Sequence, residues 1–262
     1  MTNLQLAKLA AQKAGKFLLK EFKQSHLSWS LKRRHEIVTG ADAGSEKIIL
    51  SLFKKYTPHF AVLSEEAGFN KIKSDYLWVV DPLDGTTNFK VHNPLFAVSI
   101  ALYYKGQPQL GVIYAPYLNE LFIAEKGKGA FMNGHKLKVS TTKDLNKSFL
   151  TYCHGQEDSH MRRAMNIYRY FKMRSIDMRR LGSAVIELAW VAAGRTDSIM
   201  IPGCRPWDGG AGVLLVTEAG GKVTDFKNKP WQFVNHKTGK VCLNMDLLAT
   251  NNKLHQVIIK SI

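Results

Sequence analysis

The segment Trp78-Val79-Val80-Asp81-Pro82-Leu83-Asp84-Gly85-Thr86-Thr87-Asn88-Phe89 constrains this chain more than any other. An apolar run, Leu77 to Val80, reads as a buried strand that stops at two carboxylates three positions apart. Pro82 restricts the backbone between them, and a glycine and two hydroxyls follow. A strand ending this way delivers oxygen ligands to a hard cation and then offers backbone N–H groups to an anion. The pattern points to phosphate chemistry assisted by Mg²⁺. Taken alone, Asp-Pro-x-Asp-Gly is also a good surface turn, because turn chemistry selects the same proline and glycine.

The bulk properties narrow the class. With 262 residues and 45% hydrophobic content, the chain can bury a substantial core, as one large domain or two closely packed lobes. Cys153, Cys204 and Cys242 are far apart and odd in number, which gives no CxxC pair and no disulfide framework. A reducing cytoplasm is therefore the expected location. No apolar run approaches the roughly 18 residues of a membrane span, so no membrane association is expected. Gln5, Lys8, Gln12, Lys13 and Lys16 interrupt any signal-peptide core. The formal charge of +16 admits nucleic-acid binding or steering of anionic substrates. The basic residues are dispersed, however, with short clusters only at Lys32-Arg33-Arg34 and Arg179-Arg180, so nucleic acid is not the expected partner.

Apolar positions Leu4, Ala7, Ala11, Ala14, Leu18 and Phe22 have helical spacing and predict a helix over 3–24. A β-like stretch over 28–38 follows, then a helix opening at Asp42 and closing near Pro58. Phe60 to Leu63 reads as a short strand. Phe96–Tyr104, Gln109–Tyr114 and Glu120–Glu125 read as an antiparallel meander with turns at Gly106, Pro108, Pro116 and Asn119. Helices are expected over 158–172 and 183–194, a strand over Thr196–Ile201, and a helix from Pro206 to Glu218 that ends at Gly220-Gly221. Strands at Lys222–Thr224 and Leu247–Ala249 and a helix after Thr250 complete the chain. The alternation predicts layered α/β packing with a lobe boundary near 140–150.

Three acidic positions share one context. Glu65-Glu66, Asp81 with Asp84, and Asp208 each follow an apolar strand, and strand ends are where α/β sheets build their sites. Each alone has an ordinary explanation: solvated acid, turn, helix N-cap. Their recurrence after three strands does not. Four carboxylates brought together need cations, and Mg²⁺ suits oxygen ligands while leaving positions for water and phosphate. No HxxxH or HExxH pair exists among the nine histidines, and no Gly-x-Ser-x-Gly elbow is present. The cysteines read as core or neutral loop residues.

Asp81-Pro82-Leu83-Asp84-Gly85-Thr86-Thr87-Asn88-Phe89 resembles the first signature of the inositol monophosphatase family. Trp207-Asp208-Gly209-Gly210-Ala211-Gly212, continuing to Glu218-Ala219-Gly220-Gly221, resembles its second, and Glu65-Glu66 its preceding acidic pair. The resemblance spans nearly the whole chain. It implies an α/β fold, a five-layered αβαβα sandwich, formed as one domain over 1–262 with lobes at 1–145 and 146–262. It also implies a cytoplasmic homodimer that hydrolyses a small phosphorylated metabolite with two to three Mg²⁺ ions per site.

Residue by residue, the resemblance implies that Glu65, Asp81 and the Leu83 carbonyl hold one Mg²⁺, and that Asp81, Asp84 and Asp208 hold a second. Gly85 and Thr86 would present N–H groups to the phosphate. Thr86 and Glu65 would position and deprotonate the attacking water, with Asp42 accepting the Thr86 hydrogen bond. Gly182, Ser183 and Ala184 would line the substrate alcohol, and Lys32 matches a lysine near the site, with spacing to Asp42 one residue short. The chain departs from the family at Ile201, where an acid seven positions before Asp208 grips substrate hydroxyls. An isoleucine cannot accept such a bond, and that loss removes discrimination. Arg205 is a candidate to compensate by reaching a second phosphate or carboxylate. The implied substrates are inositol phosphate and other sugar or polyol phosphates; fructose 1,6-bisphosphate, histidinol phosphate and the nucleotides NADP and 3′-phosphoadenosine 5′-phosphate are alternatives. A non-catalytic, basic nucleic-acid-binding or regulatory protein is the reading from a different class.

Overall fold

The computed structural model describes residues 1–24, 29–33, 36–234 and 241–262, and the side chains of residues 32, 33 and 36 lie outside that description. Helix α1 (Asn3–Phe22) starts at a Thr2–Gln5 capping box and buries the predicted alanine-rich stripe. Strands β1 (Trp29–Arg33) and β2 (Glu36–Thr39) pair as an antiparallel ribbon. Helix α2 (Gly40–Tyr56) is capped by Thr39, whose partner three residues into the capping box is Asp42.

The first sheet follows: β3 (Ala61–Ser64), β4 (Gly68–Phe69) and β5 (Tyr76–Asp84), then the short helix α3 (Thr86–Lys90). Strands β6 (Ala97–Tyr104), β7 (Gln107–Ala115), β8 (Glu120–Glu125), β9 (Gly129–Met132) and β10 (His135–Lys136) form the expected meander. Among the described residues this sheet has eight strands in the order β10-β9-β8-β7-β6-β5-β3-β4. After it come β11 (Phe149–Tyr152), α4 (Asp158–Lys172), β12 (Asp177–Arg179), α5 (Ala184–Ala192) and β13 (Ser198–Cys204). Helix α6 (Pro206–Glu218), β14 (Lys222–Thr224), β15 (Met245–Thr250) and α7 (His255–Ile259) end the chain. The second sheet has five described strands in the order β12-β11-β13-β15-β14. Strands β11 and β12, absent from the sequence reading, are four and three residues long, too short for periodicity to register.

The layers stack as αβαβα. Alternate side chains of β5 and β6 face opposite sides: Trp78, Val80 and Ile100 pack toward α1 and α2, whereas Val79, Ala101 and Tyr103 pack toward α5 and α6. Ile199, Ile201, Leu247 and Ala249 of the second sheet join that same central core. Met200 and Leu248 face outward to Ile167 and Phe171 of α4 and Ile258 of α7. Both sheets are thus covered on both faces, which explains their near-continuous apolar strands. Helix α6 runs unbroken through Gly209-Gly210. A Cβ at Gly209 would lie 2.8 Å from the Trp231 ring, so this glycine serves the close packing of α6 against Trp231.

Candidate metal and phosphate site

Strand β5 lies between β3 and β6, yet carries Pro82. A β-bulge accommodates it: Asp81 pairs with Ser99 and Asp84 with Ala97, three steps on one strand against two on the other. In a regular strand, residues three apart point to opposite faces. The bulge cancels that alternation and turns both carboxylates to one side. The Leu83 N–H donates to Asp81 Oδ1 at 3.0 Å and steadies the turn. Asp208, in the first turn of α6, meets them: ligand oxygens of Asp81, Asp84 and Asp208 all lie within 4.8 Å of one another.

This clustering is electrostatically costly. Burial, followed by repulsion from Glu65, Asp84 and Asp208, pushes the Asp81 carboxyl well above the usual range. Burial also raises Asp84 to about 6, against hydrogen bonds from Ser183 and the backbone that favour its charged form. Buried carboxylates that repel one another and offer only hard oxygen donors fit a divalent hard cation. Glu65, immediately after β3, lines the same cleft with Leu83.

Three polar side chains on the core-facing side of α2 hold this assembly. The Thr39 N–H and hydroxyl donate to Asp42 Oδ2 at 2.8 and 2.6 Å, while Asp42 Oδ1 lies 3.0 Å from the Thr86 hydroxyl. The Ser45 hydroxyl donates to the Pro82 carbonyl at 2.6 Å. Glu46 Oε1 accepts from the Ser64 hydroxyl and from the Glu66 and Ala67 N–H groups, shaping the turn that presents Glu65. Sequence reasoning missed Ser45 and Glu46. Their signal was polar residues at i, i+3 and i+4 on the buried stripe of an amphipathic helix.

Gly85 is left-handed, with φ +85, and a Cβ there would stand 2.8 Å from the Leu95 carbonyl oxygen. Only glycine makes this junction between β5 and α3 without strain. No side chain caps the first turn of α3, so its leading N–H groups remain available to an anion. Asn88 braces the far side, donating to the Leu95 and Leu181 carbonyls at 2.7 and 2.8 Å.

The opposite wall comes from the second sheet. β11, β12 and β13 are parallel, and their C-terminal ends open on the cleft, where α/β sheets bind ligands. Cys153, His154 and Gln156 follow β11, and Arg180 follows β12; all four line the cleft, although the sequence reads Cys153 as a core or neutral loop residue and Arg180 as part of a short basic cluster, and assigns none of the four to the site. Burial, then Glu187, pushes the Cys153 thiol up to about 12, which keeps it protonated. Gly182 and Ala184 also line the cleft. Ser183, by contrast, is buried, and its hydroxyl donates to Asp84 Oδ2 beside the Val185 N–H at 3.1 Å. It orients a carboxylate rather than facing the cleft. Glu187, fully buried and raised by that burial to about 8, accepts from the Leu181 and Gly182 N–H groups at 3.0 and 3.2 Å.

Two sequence expectations need correction. Ile201 does not line the cleft: it is 1% exposed, pairs with Leu247 and packs in the central core. Arg205 precedes α6 with its guanidinium 6.0 Å from the Trp207 ring centroid and is not among the cleft-lining residues. The Lys32 side chain falls outside the described residues.

A bulged strand carrying two acids, a left-handed glycine at a helix start and a third acid from the central helix define an α/β protein with a candidate metal and phosphate site. The chain belongs to the inositol monophosphatase family, whose model matches residues 2–262. It is 42% identical over 226 residues to Nus factor SuhB of Escherichia coli K12, covering 85% of each chain. Among solved structures, it resembles the extragenic suppressor protein suhB of Bartonella henselae, with 36% identity, a TM-score of 0.88 and 98% and 96% of the two chains covered. It also resembles an inositol monophosphatase from Anabaena, with 36% identity, a TM-score of 0.83 and coverage of 98% and 94%. No described helix is long and apolar enough to cross a membrane.

Proposed function

We propose that the protein is a Mg²⁺-dependent phosphomonoesterase acting on a small phosphorylated metabolite, an inositol monophosphate or related sugar or polyol phosphate. The observation that carries this reading is the convergence of Asp81, Asp84 and Asp208 within 4.8 Å beside the uncapped start of α3. Two to three ions would be held by Glu65, Asp81, the Leu83 carbonyl, Asp84 and Asp208. When bound, Mg²⁺ supplies charge neutralisation for the phosphate dianion and acidifies coordinated water.

The chain's own residues do the rest. Thr86, whose hydroxyl lies 3.0 Å from both Asp42 Oδ1 and the Leu83 carbonyl, borders the cleft and orients a water with the Glu65 carboxylate. The Gly85 and Thr86 N–H groups hold the phosphate in line with that water. Gly182 and Ala184 border the alcohol portion. A homodimer is part of the proposal, from the family resemblance.

The relative's name, Nus factor, and the charge of +16 favour a second reading, a regulatory protein on the same scaffold. Retention of Glu65, Asp81, Asp84, Thr86 and Asp208 supports catalysis, because nothing else maintains costly clustered carboxylates. The deciding experiment is phosphate release from sugar, polyol, amino-alcohol and nucleotide monophosphates with Mg²⁺ titrated. Release by wild type that disappears in Asp84→Asn is the expected result. Absence of release across the panel, with tight RNA binding, favours the regulatory reading.

A further inference from the structure

Among the described residues, Arg180 is the arginine or lysine that lines the cleft of the acidic cluster. Its backbone is fixed on both sides. Arg179 pairs with Thr151 in the parallel β11–β12 ladder, and the Leu181 N–H is bound by fully buried Glu187. Leu181 also accepts from Asn88, two residues beyond Thr86. The exposed Arg180 side chain therefore projects into the cleft from an anchored position.

Of the two successive arginines, Arg179 is committed to Asp177. Arg180 makes no ion pair among the described residues, although Glu65, Asp81, Asp84 and Asp208 line the same cleft. His154, Gln156 and Arg180 border the same cleft as those acids, so the alcohol portion of a phosphate ester seated at the acids would meet that wall. A guanidinium there is permanently charged, and its planar fork matches a carboxylate or phosphate through two hydrogen bonds. A neutral polyol satisfies it poorly. The hydroxyl-gripping alternative is also weakened, since Ile201 is apolar and packed in the core.

We propose that Arg180 is the specificity-determining residue of the cleft, selecting phosphomonoesters whose alcohol portion carries a second anionic group. The inference rests on the phosphomonoesterase reading above and narrows its substrate class. A net charge of +16 steers such doubly anionic substrates more strongly than singly phosphorylated ones.

The test is kcat/KM of the full-length protein with Mg²⁺ on matched pairs: 2-phosphoglycerate against glycerol 2-phosphate, and release of the 1-phosphate from fructose 1,6-bisphosphate against fructose 1-phosphate. Wild type should favour the member with the extra anion by about tenfold or more, and Arg180→Met should reduce that ratio by a similar factor, with Arg180→Lys between them. The ratio is internal to each variant, so partial misfolding does not mimic the effect. Equal use of both members by wild type, or a ratio untouched by Arg180→Met, overturns the inference. Equal loss on all esters would show that Arg180 holds the transferred phosphate instead, which also overturns it. Absence of phosphate release from every ester defeats the phosphomonoesterase reading itself and is distinguishable from these outcomes.

Discussion

Asp42 and Thr86 stand 44 positions apart, yet Thr86 Oγ1 lies 3.0 Å from Asp42 Oδ1. The other Asp42 oxygen takes both donors of Thr39, so one carboxylate closes the N-terminus of α2 and orients a hydroxyl at the start of α3. These two roles separate by mutation. Asp42→Ala should lower kcat by roughly 10²-fold or more, since it leaves the Thr86 hydroxyl only the Leu83 carbonyl, also 3.0 Å away, as acceptor and so misdirects it. It should also cost about 1 kcal/mol of stability through the lost cap. Thr39→Ala should show a comparable stability loss with a much smaller change in kcat. Steady-state kinetics beside urea unfolding distinguishes the two; equal kcat losses would show that the cap, not the Thr86 contact, matters.

Asp84 is held near 6 by burial, so its carboxyl is largely protonated below that pH in the metal-free protein. Mg²⁺ requires the ionised form and must displace the proton. Affinity should therefore rise as pH increases from 5 to 7, with about half a proton displaced from Asp84 at pH 6 and more at pH 5. Calorimetric titrations in buffers of different ionisation enthalpy measure this directly. Binding at pH 6 without proton release contradicts the assignment.

Ile201→Glu, the substitution that would restore the family's hydroxyl-binding acid, should fail to do so. The side chain sits among Ile199, Leu247 and Ala249, where a carboxylate has no water and no partner. Destabilisation on the order of 3 kcal/mol or more is expected. A stable variant with improved selectivity for polyol phosphates would show that this side chain can turn toward the cleft.

His255 is buried with both ring nitrogens 3.0 Å from hydroxyls, those of Thr224 and Thr250, and burial depresses it to about 4. Between about 4 and its ordinary value near 6.5, the unfolded chain binds more protons than the folded one. The stability from this group is complete above pH 6.5 and is lost as pH falls toward 4. The Tm difference between wild type and His255→Gln, which cannot charge, should shrink over that interval. A difference constant with pH would contradict the buried neutral state.

Much of the site was legible because its chemistry is written in contiguous residues. Asp81, Asp84, Gly85 and Thr86 occupy one strand-to-helix junction, and Asp208 opens a helix rich in small residues. The meander and the long helices were legible for the same local reason, since turns and 3.6-residue periodicity are properties of short windows. β11 and β12 were not, because three- and four-residue parallel strands owe their existence to neighbours distant in the chain.

The sequence by itself determined the family, the layered α/β architecture and the acid set. Residue type dictates what a side chain can ligate or donate, and local pattern dictates which elements form. The tertiary structure alone decided which way those side chains point. A bulge at Pro82 brings Asp81 and Asp84 to one face, although three-residue spacing in a strand would separate them. Core packing takes Ile201 out of the cleft, and the parallel ends of β11 and β12 bring Arg180 into it. The segment from Asp81 to Phe89 carries the candidate chemistry, while the opposing wall is assembled from chain segments that meet only when the two sheets pack across α5 and α6.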